Sequence, residues 1–137
     1  MKKLTLKAAR ENIPKATAFI DEQLEALDCP MKAQMQLDVA VDELFANISL
    51  YAYPEGEGTG EAEIGFAFDE AAREISITFK DRGIPFNPLK SEEPDVTLSA
   101  EKRKIGGLGI FVVKKTMDSM DYRYEDGCNI LTVKKHI

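Results

Sequence analysis

Two short runs of strict alternation constrain this chain most. Ile64, Phe66 and Phe68 alternate with Gly65 and Ala67, and Ile75, Ile77 and Phe79 alternate with Ser76 and Thr78. Successive strand side chains point to opposite faces, so each run carries one apolar face. Residues 69–73 between them are a hairpin connection. A hairpin with one apolar face is not stable by itself and needs a second layer over that face.

Helical periodicity elsewhere supplies that layer. Residues 11–27 read as a helix, with Asn12 as its cap and Pro14 in the first turn. Ile13, Ala16, Phe19, Ile20, Leu24 and Leu27 form its apolar stripe. A second helix runs from Met31 to about Tyr51, before Pro54. Its Leu37, Val41, Leu44, Phe45 and Ile48 fall at i, i+4, i+7, i+8 and i+11, a core-facing stripe. A third helix is expected from Leu108 to about Met120, with Leu108, Phe111, Val112 and Met117 as core candidates. Leu4 and Leu6 alternate in a short first strand. Tyr122 to Tyr124 and Ile130 to Val133 read as two more strands, joined by the turn signal Asp126-Gly127. The order β-α-α-β-β-α-β-β groups antiparallel strands with segregated helices. The expected fold is therefore α+β, a two-layer sandwich of a mainly antiparallel sheet with three helices on one face. No internal repeat marks a second unit, so residues 1–137 are expected to form one domain.

Composition narrows the function. The net charge is −6. Sequence-independent binding to nucleic acid or to an anionic membrane rests on Lys and Arg, so neither is an expected partner. No apolar run approaches the ~20 residues of a membrane-spanning helix, and the start of the chain lacks the apolar core of a signal peptide. Cys29 and Cys128 fit no metal-ligand spacing and read as free thiols of a reducing cytosol. The single histidine, His136, reads as solvated.

Three stretches carry chemistry. Gly106-Gly107-Leu108-Gly109 opens the third helix, and glycines at a helix N-terminus let backbone N–H groups approach a phosphate; a flexible turn before a buried helix is the plainer reading. On the second helix Glu43 and Asn47 lie one turn apart, about 40° around the axis, at the rim of the buried stripe. They are either a carboxylate and carboxamide aimed at a site or two solvated polar groups. Asp81, at a strand end against Gly83, is either a ligand-reading residue or a turn. The glycine-rich stretch at residues 55–61 has no strand before it and no helix after it, and is not read as a phosphate loop. Residues 88–105, ending in Lys102-Arg103-Lys104, lack clear packing positions and read as a lid or as a solvated charge run.

Taken together, these stretches resemble the GHKL ATP-binding superfamily, with its Bergerat nucleotide fold. Within it the chain looks most like stand-alone bacterial anti-sigma-factor serine/threonine kinases. Val41-Asp42-Glu43-Leu44-Phe45-Ala46-Asn47 through Tyr53 is similar to the N box. Asp81-Arg82-Gly83-Ile84-Pro85-Phe86-Asn87-Pro88 is similar to the first glycine box, and Gly106-Gly107-Leu108-Gly109-Ile110 to the second. Tyr122 through Asn129, Leu131 and Thr132 resemble the closing hairpin.

The resemblance implies ATP and Mg²⁺ as cofactors. Asn47 would bind the Mg²⁺, Asp81 would accept the adenine amino group, and Gly83 would let the backbone lie against the base. Gly106, Gly107, Leu108 and Gly109 would cradle the phosphates, and Lys104, or Arg103 or Lys102 beside it, would reach them from the lid at about 88–105. Thr132 would support the adenine contact of Asp81, and Glu43 would be the general base. It further implies a cytoplasmic anti-sigma factor that captures a sigma factor and phosphorylates a STAS-type antagonist, with homodimerisation as a family-level expectation. Three positions depart from the pattern: Pro85 replaces a second glycine, Tyr51 a histidine, and Ile105 an arginine. Tyr51 and Ile105 support an alternative, a nucleotide-binding module that captures a partner without transferring phosphate. A catalytic domain belonging to a larger GHKL protein is a third reading.

Overall fold

The computed structural model describes residues 1–90 and 107–137. The chain runs β1 (Lys2–Lys7), a 3₁₀ turn at Arg10–Asn12, α1 (Ile13–Ala26), α2 (Met31–Tyr51), β2 (Glu61–Asp69) and β3 (Glu74–Asp81). A second 3₁₀ turn at Pro88–Lys90, α3 (Gly107–Thr116), β4 (Ser119–Glu125) and β5 (Cys128–His136) follow. The five strands form one antiparallel sheet in the order β1-β2-β3-β5-β4. Helices cover one of its faces, as the alternation requires.

Parity decides what each strand contributes. Ile75, Ile77 and Phe79 of β3 pair with Lys135, Val133 and Leu131 of β5, and Ile64 of β2 pairs with Phe79. Ile64, Ile75, Ile77, Phe79, Leu131 and Val133 are buried against Ile20, Leu24, Leu37, Val41, Leu44 and Phe45 of the first two helices. Each fully buried side chain of this size contributes about 1.5–3 kcal/mol, so this shared layer is the main source of stability. The hairpin joining β4 to β5 turns through Asp126 and Gly127, at φ 53° and 75°, the backbone of a type I′ turn.

Two helix boundaries differ from expectation. Asn12 does not cap α1 with its side chain; its Nδ2 instead donates to the Lys7 carbonyl at 2.9 Å, and the helix enters through the 3₁₀ turn. The third helix stops at Thr116 rather than near Met120. Lys135 Nζ donates to the Thr116 carbonyl at 2.8 Å, and Met120 pairs with Val133 as part of β4. The core face of α3 is also shifted: Ile110, Val113 and the following Met117 are buried, whereas Val112 is exposed. Four consecutive apolar residues, Ile110 to Val113, conceal the helical phase.

The Glu57 loop is tied to the start of the chain. Arg10 donates to Glu57 from its backbone N–H (2.6 Å), Nε (3.0 Å) and Nη2 (3.2 Å). Gly58 N–H donates to the Ala8 carbonyl at 2.9 Å. These bonds close the end of the sheet where β1 meets β2.

Candidate functional site

A cleft lies between the C-terminal half of α2 and the ends of β3 and β5. Its lining includes Asn47 and Ile48 from α2, Phe79 and Asp81 from β3, and Asn129 and Leu131 from β5. Phe86 and Pro88 close it from the segment after β3, and Tyr122 from β4. The walls are largely apolar, with Asp81 and Asn129 as polar groups on the floor, the usual make-up of a small-molecule site.

Asp81 is the end residue of β3 and keeps the inward parity of Ile77 and Phe79, so its carboxylate is buried (6 % exposed). Burial pushes its pKa up, and hydrogen bonds from Asn129 and from the Gly83 N–H oppose that rise. Gly83 N–H donates to Asp81 Oδ1 at 2.8 Å and Asn129 Nδ2 donates to the same oxygen at 3.0 Å. Oδ2 takes no donor among the described residues. A carboxylate with one tethered and one open oxygen is an acceptor suited to an exocyclic amino group.

Gly83 owes its identity to packing. A β-carbon there would lie 2.2 Å from the Ala52 carbonyl oxygen, and Ile84 N–H donates to that oxygen at 2.8 Å. The glycine thus lets the turn after β3 close onto the end of α2, which fixes Asp81 relative to Asn47. This contact is a packing role on the α2 side, distinct from the expected approach of a base to the Gly83 backbone.

Glu43 and Asn47 are half-buried and one turn apart on α2, as their spacing dictates. Asn47 Nδ2 donates to the Glu43 carbonyl at 2.9 Å, and its Oδ1 takes no donor among the described residues. An amide oxygen held in this way fits a hard cation, which prefers oxygen ligands. Glu43 reaches the opening of α3: a β-carbon at Gly109 would lie 1.8 Å from its Oε2. Only glycine leaves room for that carboxylate at the helix N-terminus. Gly107 begins α3. Lys104 and Gly106 lie outside the described residues, as do Ile105 and most of the expected lid, and nothing is described of the Leu108 side chain.

Thr132 is not brought to Asp81. It pairs with Thr78, and the two hydroxyl oxygens lie 3.3 Å apart on the face of the sheet opposite the helices. The residue paired with Asp81 is Asn129. Sequence reasoning passed over Asn129, although it lies two and four residues before the buried Leu131 and Val133 and therefore shares their inward parity.

A family model described as the histidine kinase-like ATPase domain matches residues 6–135. The chain belongs to that family. Among its relatives is the serine/threonine-protein kinase BtrW of Bordetella bronchiseptica, 27 % identical over 105 residues, a match covering 77 % of this chain and 72 % of BtrW. The serine-protein kinase RsbW of Oceanobacillus iheyensis is 35 % identical over 107 residues, covering 72 % of this chain and 63 % of that relative. The match spans less than two thirds of the RsbW length. Two solved structures share the fold. The crystal structure of the RsbU and RsbW domains of Rv1364c from Mycobacterium tuberculosis superposes with a TM-score of 0.61 at 11 % identity, over 99 % of this chain and 32 % of that one. The SiaB–SiaC complex from Pseudomonas aeruginosa gives 0.60 at 14 % identity, over 100 % and 90 %.

Family membership and the expected α+β sandwich thus agree with the sequence resemblance. Among the described residues, no helix is long and apolar enough to cross a membrane.

Proposed function

We propose that this chain binds ATP in the cleft above Asp81 and transfers its γ-phosphoryl group to a serine or threonine hydroxyl of a partner protein. The observation that carries this reading is the contact between Glu43 and Gly109. It puts a carboxylate at the N-terminus of the helix whose backbone N–H groups would hold phosphate, and Asn47, one turn along α2 from Glu43, lines the cleft that holds Asp81.

In this reading Asp81 Oδ2 accepts the adenine amino group and Gly107 and Gly109 offer backbone N–H groups to the phosphates. Lys104 and Gly106 enter from sequence alone, together with the lid at about 88–105. Asn47 Oδ1 would hold Mg²⁺, which when bound neutralises charge on the phosphates. Glu43 accepts the hydroxyl proton as the hydroxyl oxygen bonds to the γ-phosphorus and the bond to the ADP oxygen breaks. The names of the BtrW and RsbW relatives support protein-kinase chemistry. The partners proposed are a sigma factor that is captured and a STAS-type antagonist that is phosphorylated, in the cytoplasm, with the kinase acting as a homodimer.

Incubation with ATP, Mg²⁺ and a candidate antagonist tests the reading. Phosphate should appear on a serine or threonine of the antagonist, and Glu43→Ala should abolish transfer while ADP still binds. Tyr51, half-exposed near the end of α2 where the kinases carry histidine, favours the second reading, a nucleotide-binding capture module. In that case the wild type would bind ADP and the partner with no transfer to lose.

A further inference from the structure

We propose that Asn129 is a positioning residue that holds Asp81 as a pure hydrogen-bond acceptor, and that Tyr122 anchors the Asn129 carboxamide in place. This inference rests on the adenine reading of the cleft.

The argument is a count of hydrogen bonds. A carboxamide has two donor hydrogens and two acceptor lone pairs. Asn129 Nδ2 donates to Asp81 Oδ1 at 3.0 Å and to the Ile84 carbonyl at 2.8 Å. Asn129 Oδ1 accepts from the Phe86 N–H at 3.0 Å and from the Tyr122 hydroxyl. All four positions are filled, and the group is buried (6 % exposed). It has nothing left with which to bind a ligand, so its effect on one passes through Asp81.

The arrangement has one direction only. Rotating the carboxamide by half a turn would set its oxygen against Asp81 Oδ1 and the Ile84 carbonyl, three acceptors together. It would also set its NH₂ against the Phe86 N–H. Unpaired polar groups in a buried site are costly, so the Phe86 N–H, which can only donate, and the Ile84 carbonyl, which can only accept, fix Nδ2 toward Asp81, and the Tyr122 hydroxyl anchors the oxygen so placed. Asp81 Oδ1 then always receives a proton donor, and Oδ2 stays free to accept from an amino group. The same carboxamide ties the Ile84–Phe86 segment to β5, which holds the wall of the cleft against its floor.

Asn129→Asp tests this with almost no change in shape. The new carboxylate oxygen would face Asp81 Oδ1 and the Ile84 carbonyl, and only a shared proton restores the lost donor. Among the described residues, the other titratable groups facing Asp81 are Tyr53 and Tyr122, and burial raises both above the ordinary tyrosine range, so neither takes up that role near neutrality.

The measurement is calorimetric titration of ADP into wild type and variant at pH 6 and pH 8, with thermal melts of both. At pH 8 the variant should bind ADP roughly ten- to a hundredfold more weakly, the loss of a hydrogen bond to a charged group. It should regain affinity at pH 6, whereas the wild type should not gain. A variant matching the wild type at both values, or equally weakened at both, would overturn the proposal. Should Asn129→Asp fail to melt cooperatively, Tyr122→Phe decides. It should bind ADP severalfold more weakly and prefer ADP over GDP less strongly, and unchanged affinity and preference would overturn the proposal. A wild type that binds no ADP would instead overturn the adenine reading, and this inference with it.

Discussion

The Glu43 carboxylate occupies the space that a side chain at position 109 would need, with Oε2 only 1.8 Å from the place of the missing β-carbon. One residue comes from the middle of α2 and the other from the first turn of α3. Their contact joins α2 to the start of α3. Glu43 is the far end of a flexible side chain and can swing away from a methyl group. Gly109→Ala should therefore change the melting temperature little, yet displace the carboxylate and slow phosphoryl transfer by about 10²-fold or more, the worth of a general base. Transfer kinetics and a thermal melt on the same preparation check both halves.

Gly83→Ala should behave in the opposite way. Its β-carbon would meet the Ala52 backbone carbonyl at 2.2 Å, and backbone cannot swing aside. The variant should lose about 1–3 kcal/mol of stability, the usual cost of overpacking, read by urea denaturation. A loss as small as that of Gly109→Ala would contradict the packing role assigned to Gly83.

Thr132→Val should leave nucleotide affinity unchanged, because Thr132 lies on the sheet face opposite the cleft and meets only Thr78 among the hydroxyls described. Titration with ADP checks this. A large loss would mean that the side chain reaches the site after all.

Between α1 and α2, Asp38 makes stability depend on pH. Its Oδ1 is buried and has no hydrogen-bond partner among the described residues. Burial, then the neighbouring Asp21, Asp42 and Glu25, push its pKa from 3.8 up to about 8. The folded protein thus holds this proton more tightly than the unfolded chain does. The contribution to stability is complete below about pH 3.8 and is lost as the pH rises to about 8. Asp38→Asn removes that dependence. Melting temperatures from pH 5 to 9 should show the variant gaining on the wild type up to about pH 8, and then a constant difference.

Much of this was legible in the sequence because short-range periodicity carries it. The alternation of Ile75, Ile77 and Phe79 identified β3 and its inward face, and the i, i+4 spacing of Glu43 and Asn47 put both on one rim of α2. Thr132 was the failure, and its cause is instructive. In β5 apolar residues occupy both parities, Ile130 on one face and Leu131 and Val133 on the other, so composition alone leaves the strand's orientation open. Pairing with β3, distant in sequence, settles it and turns Asn129 inward. The phase of α3 was concealed in the same way, by an apolar run without polar punctuation. Gly83 is singled out in the sequence only as a place where backbone could lie against a base, and its contact with Ala52 belongs to tertiary packing, which no local pattern records.

The measurement that tests the central claim most directly is calorimetric titration of the wild type and Asp81→Asn with ADP and ATP, with and without Mg²⁺. The account predicts adenine-nucleotide binding by the wild type and its loss in Asp81→Asn, because the new amide can turn an NH₂ group toward the base where the carboxylate offered an acceptor. Absence of binding in the wild type, or equal binding by both, would contradict it.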